Sequence, residues 1–202
     1  MKLETKKLIG PAARAVIDII DTTVNARPEV LAVLRHGRAF LLAGPTGAGK
    51  TAAAINAAAE LTGGNDHDYM NYTGADIDKP EVLNIARKVS YSPFSGHYVV
   101  SHIDEIDEIP PGAQVRLMNV LDNLPKSSVI IATCNDPSRL DARFQRRFTF
   151  LPVTAPAPAE ICQHLSSIGF SPAASQWASE NCDGDTARAI LDAEQYDRNT
   201  TK

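Results

Sequence analysis

The sequence predicts an α/β protein: a three-layer α-β-α parallel sheet followed by a small C-terminal all-helical unit. Three observations carry this expectation. Short apolar runs alternate with helical stretches as far as about residue 151, the pattern of a parallel sheet covered on both faces. A glycine-rich turn joins the first apolar run to an alanine-rich helix. After Val153 no strand pattern recurs, and Pro152, Pro156 and Pro158 mark a linker. The expected division is an α/β domain over 1–153 and a helical domain over 154–202.

The elements follow in order. Pro11 to Asp21 reads as a helix with proline at its first position. A short helix is expected from Pro28 to His36, stopped by Gly37. Ala39-Phe40-Leu41-Leu42-Ala43 is a continuous apolar run ending in a turn, hence a buried strand. Thr51 to Leu61 is an alanine-rich helix closed by Gly63-Gly64. Tyr69 to Tyr72 is a second strand. In the helix Pro80 to Val89, Val82, Ile85, Ala86 and Val89 recur at i, i+3, i+4 and i+7. Asp78 with Glu81 resembles a capping box. Tyr98 to Ile103 reads as strand and Pro111 to Leu124 as helix. Val129 to Thr133 is the clearest strand, and Phe148 to Leu151 is the last. Helices are expected over Pro158–Ile168, Pro172–Asn181 and Thr186–Tyr196. No internal repeat is visible.

Composition narrows the function classes. With 202 residues the chain holds one domain, or one with a small appendage, and can bury a core without staples. The net charge of −4 argues against a chain-wide electrostatic footprint for nucleic acid, although a local basic face is compatible with it. Cys134, Cys162 and Cys182 are few, odd in number and lack zinc-ligand spacing, which suits a reducing compartment. No apolar run approaches the roughly 18 residues needed to span a bilayer. No apolar segment of a secretory signal follows Met1 to Lys7. A cytoplasmic protein without a membrane partner is expected.

Gly44-Pro45-Thr46-Gly47-Ala48-Gly49-Lys50-Thr51 matches G-x-x-x-x-G-K-[ST] in full, with an apolar strand before it and a helix after it. Glycines let such a backbone curl until several N–H groups point at the β- and γ-phosphates, and the helix N-terminus adds its positive end. Lys50 supplies a mobile charge, and Thr51 offers a hydroxyl to magnesium. A triphosphatase also needs a carboxylate near the metal and a group to orient water. Ile103-Asp104-Glu105 stands where ligands bind in open parallel sheets, at the C-terminal end of a strand. Asp104 is expected to hold the magnesium and Glu105 to polarise the lytic water. Ser101 and His102 stand where such strands carry aliphatics, so both must find partners. A packed or hydrogen-bonded histidine explains His102 and His97 better than a metal site does, because no further ligands have suitable spacing.

These motifs resemble the AAA+ ATPase family of P-loop NTPases, in order and spacing from about Leu8 to Ala193. The resemblance implies ATP and Mg2+ as cofactors and a helical lid at the C-terminus. It makes Asn135, at the end of the strand Val129 to Cys134, the polar sensor-1 residue that helps Glu105 place water. Asp136 to Phe148 resembles the stretch leading to the arginine finger. Arg146 matches protein-remodelling members and Arg147 matches clamp-loader subunits, with Arg143 a surface or packing residue. Gly184-Asp185-Thr186-Ala187-Arg188 resembles the start of the sensor-2 helix, with Asp185 its N-cap. Arg188 comes one residue later than in clamp-loader-type members, about 100° around the helix. Leu8-Ile9-Gly10 resembles the loop that packs on adenine, which assigns Ile9 and Gly10. Asn71 resembles the polar residue that restrains the catalytic glutamate.

For function, the resemblance implies an ATP-hydrolysing enzyme that remodels a macromolecular assembly. Arginines acting in trans require associated subunits, so a homo-oligomeric ring or spiral is expected, with a macromolecular substrate or an adaptor protein. Asn71 through Gln114 to Asn135 resembles clamp-loader small subunits, which points to DNA. Those proteins carry a further collar domain, whereas this chain ends at Lys202, so specificity is expected in surface loops, assembly or a separate partner. Two alternatives stand beside this. One is a nucleotide-regulated recruitment module with little turnover, which would not need Glu105. The other is a protein unfoldase, to whose aromatic–hydrophobic–Gly pore loop Tyr72-Thr73-Gly74 is a poor match.

Overall fold

The computed structural model describes residues 11–24, 38–94 and 98–200. The expected helix Pro28–His36, the tripeptide Leu8–Gly10 and His97 lie outside the described residues. Within them the elements are α1 (Pro11–Val24), β1 (Ala39–Ala43), α2 (Lys50–Leu61), β2 (Tyr69–Thr73), α3 (Lys79–Val89), β3 (Val99–Asp104), α4 (Pro111–Asp122), β4 (Ser128–Cys134), α5 (Ala142–Gln145), β5 (Thr149–Pro152), α6 (Pro158–Ser167), α7 (Pro172–Asn181) and α8 (Thr186–Thr200). The five strands form one parallel sheet in the order β2-β3-β4-β1-β5, as the alternating pattern predicts.

Both faces of the central strands are covered, which is why β1 and β4 read as near-continuous apolar runs, whereas the edge strands β2 and β5 are part-exposed. Phe40 and Leu42 of β1 pack with Ile17 and Ile20 of α1 and with Ala53, Ala54, Ala57 and Ala58 of α2. The small alanine side chains bring α2 close to the sheet. Leu41 and Ala43 face the other way, toward Ile85 of α3 and Leu117 of α4. The register pairs Ala43 with Cys134 and with Pro152, so β1, β4 and β5 end level, and β3 ends at Asp104 beside Thr73. The loops after these strands therefore meet at one edge.

Several boundaries differ from the expected ones for local reasons. Helix α1 runs on to Val24, which is buried one turn beyond Ile20. Helix α4 stops at Asp122, two residues early, because Leu124 precedes Pro125 and is pushed out of the helical region. Asn123 closes it, with Nδ2 donating to the Asn119 carbonyl at 2.8 Å. Helix α5 was not expected, since four residues show no periodicity; Asp141 caps it by accepting from Arg143 N–H at 2.7 Å. Half of the capping box of α3 forms: Asp78 accepts from Glu81 N–H at 2.8 Å, while Glu81 accepts from Asn84.

The last three helices bury Ile161, Leu165, Ala174, Ala178, Cys182 and Ala189 against one another, a core separate from those of the sheet. A backbone hydrogen bond ties this region to the phosphate loop: Thr186 N–H donates to the Gly47 carbonyl at 3.2 Å.

Candidate nucleotide site

The loop Gly44–Thr51 starts between two strands. Gly44 N–H donates to the Cys134 carbonyl at 3.2 Å, and a Cβ at Gly44 would sit 1.9 Å from the Val153 carbonyl oxygen. Gly47 and Gly49 have φ of +79° and +89°, the left-handed region that favours glycine. Gly47 also lies under the lid: a Cβ there would stand 2.2 Å from Asp185 Cγ. Asp185 caps α8 by accepting from Ala187 N–H at 2.9 Å and Arg188 N–H at 3.0 Å.

Lys50 Nζ donates to the carbonyls of Gly44 (2.8 Å) and Pro45 (2.7 Å) and to Asn135 Oδ1 (2.8 Å). Burial pushes the pKa of its ammonium down, opposed by Cys134 and by the carboxylates of Asp104, Asp107 and Glu105. Thr51 Oγ1 donates to Asp104 Oδ1 at 2.9 Å. Thr133 Oγ1 also donates to Asp104 Oδ1, and accepts from Glu105 N–H at 3.0 Å. One hydroxyl thus positions both members of the acidic pair. Glu105 is exposed and adopts φ 52°, ψ 51°, a left-handed conformation that costs a non-glycine residue energy. Gly74 supports that turn: a Cβ at Gly74 would lie 2.1 Å from the Glu105 carbonyl oxygen.

Asn135 is held from behind. Buried Asp107 accepts from Asn135 N–H at 3.4 Å and from Asp136 N–H at 3.1 Å. The neighbouring thiol of Cys134 is pushed up to about 12 by burial and by Asp107. His102 is fully buried. Its Nδ1 lies 3.0 Å from Tyr69 Oη, and its Nε2 lies 3.9 Å from Asp104 Oδ1 without a hydrogen-bond partner. Burial lowers its pKa to about 4, against the pull of Asp104, so the ring is neutral at physiological pH.

The arginines separate. Arg147 makes two 3.2 Å bonds to the Asp122 carboxylate and a third, at 2.6 Å, to the Arg143 carbonyl. Arg143 pairs with Asp141, and Arg139 with Glu108. Arg146 is exposed, and its side chain has no partner among the described residues. Arg188 is exposed on α8 and pairs with Asp192 at 3.6 Å. Asn71 is exposed on β2 opposite His102 and makes no hydrogen bond to Glu105 among the described residues.

The structure thus gathers Lys50, Thr51, Asp104, Glu105 and Asn135 at one edge of the sheet. Sequence reasoning missed Thr133, Asp107, Gly74 and Tyr69. Only Asp107 left a trace, as a carboxylate in the acidic run after Glu105. The donor set suits magnesium, a hard cation that takes oxygen ligands: a threonine hydroxyl and a carboxylate stand 2.9 Å apart. The glycine-lined loop, the lysine and the N-terminus of α2 suit a polyphosphate.

Fold and site define a phosphate-loop nucleotide-binding protein. The AAA family, described as "ATPase family associated with various cellular activities", matches residues 40–152, and the chain belongs to it. Among curated proteins it is similar to replication factor C small subunits. That of Halobacterium salinarum is 29% identical over 136 residues, 64% of this chain and 41% of the relative. That of Archaeoglobus fulgidus is 34% identical over 138 residues, 61% and 42% respectively. That of Aeropyrum pernix is 27% identical over 198 residues, 91% and 60%. The chain spans about two-fifths of the length of the first two. Among solved structures, a DNA polymerase III gamma subunit-related protein from Thermotoga maritima superposes with a TM-score of 0.68 at 13% identity, over 91% of this chain and 57% of that one. PCH-2 of C. elegans does so with 0.56 at 20% identity, over 77% and 45%. Both share the fold. Among the described residues no helix is long and apolar enough to cross a membrane.

Proposed function

We propose that the chain binds ATP with Mg2+ in the phosphate loop, hydrolyses it, and uses the cycle to remodel a DNA-associated assembly together with neighbouring subunits. The observation that carries this is the 2.8 Å contact of Lys50 with Asn135, which closes the loop after β1 onto the end of β4 beside the Asp104–Thr51 pair. In this reading Gly44 to Thr51 wrap the phosphates, and Lys50 exchanges its loop carbonyls for phosphate oxygens. Thr51 and Asp104 hold Mg2+. When bound, that ion neutralises charge on the β- and γ-phosphates. Glu105, exposed on its left-handed turn, orients water with help from Asn135.

Arg146 is the arginine offered to a neighbouring subunit's nucleotide, because its guanidinium has no partner among the described residues while Arg147 is committed to Asp122. Arg188 reaches phosphate only by leaving Asp192. Ile9 and Gly10 are proposed for the adenine. The engine comprises 1–153 and the lid 154–202, hinged near Val153. The association with DNA replication is carried over from the replication factor C relatives, and a cytoplasmic setting is proposed from the sequence alone.

The test is ATP turnover titrated with single-stranded and primed duplex DNA, alongside the mass of the Glu105→Gln chain with ATP. Stimulation by one DNA form and an ATP-dependent oligomer are expected. Turnover no faster than that of Lys50→Ala under every condition favours the recruitment module instead.

A further inference from the structure

Strand β3 is buried from Val99 to Ile103, and two of those five residues are polar. A buried imidazole is costly unless its nitrogens are satisfied. Nδ1 of His102 meets the Tyr69 hydroxyl at 3.0 Å, across the β2–β3 pairing. Nε2 meets nothing within hydrogen-bond reach. Its nearest charged neighbour is Asp104, two residues on and therefore on the same face of the strand, at 3.9 Å. That is about 1 Å beyond a hydrogen bond.

We infer that Tyr69 and His102 form a positioning pair for Asp104, with Nε2–H as a donor in reserve for its carboxylate. The inference rests on the ATPase reading. Two tautomers are available. With the proton on Nδ1, Tyr69 accepts and the bare Nε2 lone pair faces a carboxylate in a buried site, which is repulsive. With Tyr69 donating to Nδ1, Nε2 carries the proton and presents it to Asp104, which is attractive. Electrostatics select the second.

The reserve has a use. Asp104 Oδ1 now accepts from both Thr51 and Thr133. The Thr51 hydroxyl donates through its O–H and keeps both lone pairs, so it can face a cation and hold Oδ1 at once. A carboxylate drawn toward that cation turns, and the Nε2–H of His102 then steadies it from the buried side after a small rotation. A neutral donor suits this position: it orients the carboxylate without cancelling the charge that the cation needs.

The experiment uses the full chain in the Glu105→Gln background, with retention of a fluorescent ATP analogue read as Mg2+ is titrated and again in EDTA. His102→Leu is expected to raise the Mg2+ half-saturation about tenfold, the scale of one hydrogen bond to a charged group, and to leave the EDTA affinity unchanged. His102→Gln places an amide nitrogen where Nε2 stands and is expected to stay close to the parent. His102→Asn replaces Nδ1 instead and is expected to behave like leucine. Should these variants not fold, Tyr69→Phe deletes one hydroxyl and is expected to shift the half-saturation about threefold. Nitrogen-15 NMR of the parent is expected to show the Nε2–H tautomer. An Nδ1–H tautomer overturns the inference. So does a folded His102→Leu chain, or a Tyr69→Phe chain, with the parent's Mg2+ half-saturation. A parent with no Mg2+-dependent retention of nucleotide overturns the ATPase reading itself.

Discussion

Replacing Arg147 with alanine removes a bidentate bond to Asp122 and a bond to the Arg143 carbonyl, all within one chain. The two side chains of the pair are 27% and 38% exposed, so solvent screens it. Discounted for that exposure, the pair contributes about 0.5–1 kcal/mol. The bond to the carbonyl, made by a charged donor, adds about 1 kcal/mol. For a chain of this length each kcal/mol moves the melting midpoint by about 2–4 °C. Arg147→Ala is therefore expected to melt about 3–8 °C below the parent, and Asp122→Ala to recover part of that gap by keeping the carbonyl bond. Arg146→Ala breaks no bond among the described residues and is expected to melt with the parent. Its effect lies in turnover: loss of an arginine that stabilises the transferring phosphoryl group from a neighbour costs about 10³–10⁵. The assay pairs thermal melts with ATP turnover of the assembled protein. A mixture of Arg146→Ala with Lys50→Ala subunits is expected to regain activity, each supplying what the other lacks. The reasoning is refuted if Arg147→Ala melts normally and loses turnover while Arg146→Ala stays active.

Three further outcomes are expected. Gly74→Ala drives a methyl into the Glu105 carbonyl oxygen, since a Cβ there would lie 2.1 Å away; displacing the Glu105 turn should cost about 100-fold in turnover with little change in ATP affinity. Asp107→Ala removes the carboxylate that Asn135 N–H and Asp136 N–H donate to; both residues are exposed and can turn to water, so the cost is about 1–2 kcal/mol in chemical denaturation. Asp107→Asn keeps one acceptor and should cost less. Burial raises Tyr69 and Tyr72 from 10.0 to about 12 and Cys134 from 9.0 to about 12. The unfolded chain loses these protons first, so their stabilisation is complete below pH 9 and falls as pH climbs toward 12. Melts between pH 8 and 11 check this, and Tyr72→Phe should flatten the decline.

The run Ala39 to Ala43, the full phosphate-loop motif and the run Val129 to Thr133 announced themselves because their information is local. A strand buried on both faces must be apolar throughout, and a backbone that wraps phosphates must have glycine where φ is positive. From these, the parallel sheet, the loop and Asp104 were legible, whereas Asn135 was singled out only through the family resemblance. Helix α5 and the early end of α4 were harder. One is too short to show a period, and the other is set by Pro125 acting on the residue before it. The contacts that orient the chemistry left little trace. Lys50 and Asn135 are 85 positions apart, Thr133 reaches back to Asp104, and Gly74 is required only because Glu105 bends beside it. The choice between Arg146 and Arg147 is of the same kind, since adjacent arginines look alike until Asp122 claims one of them. Amino-acid pattern alone determined which segments are strands and which loop can meet phosphate, because periodicity and backbone stereochemistry act over a few residues. Which hydroxyl, carboxylate or guanidinium is occupied, and which is left free, only the tertiary structure decided, because a hydrogen bond depends on where the fold brings two distant groups.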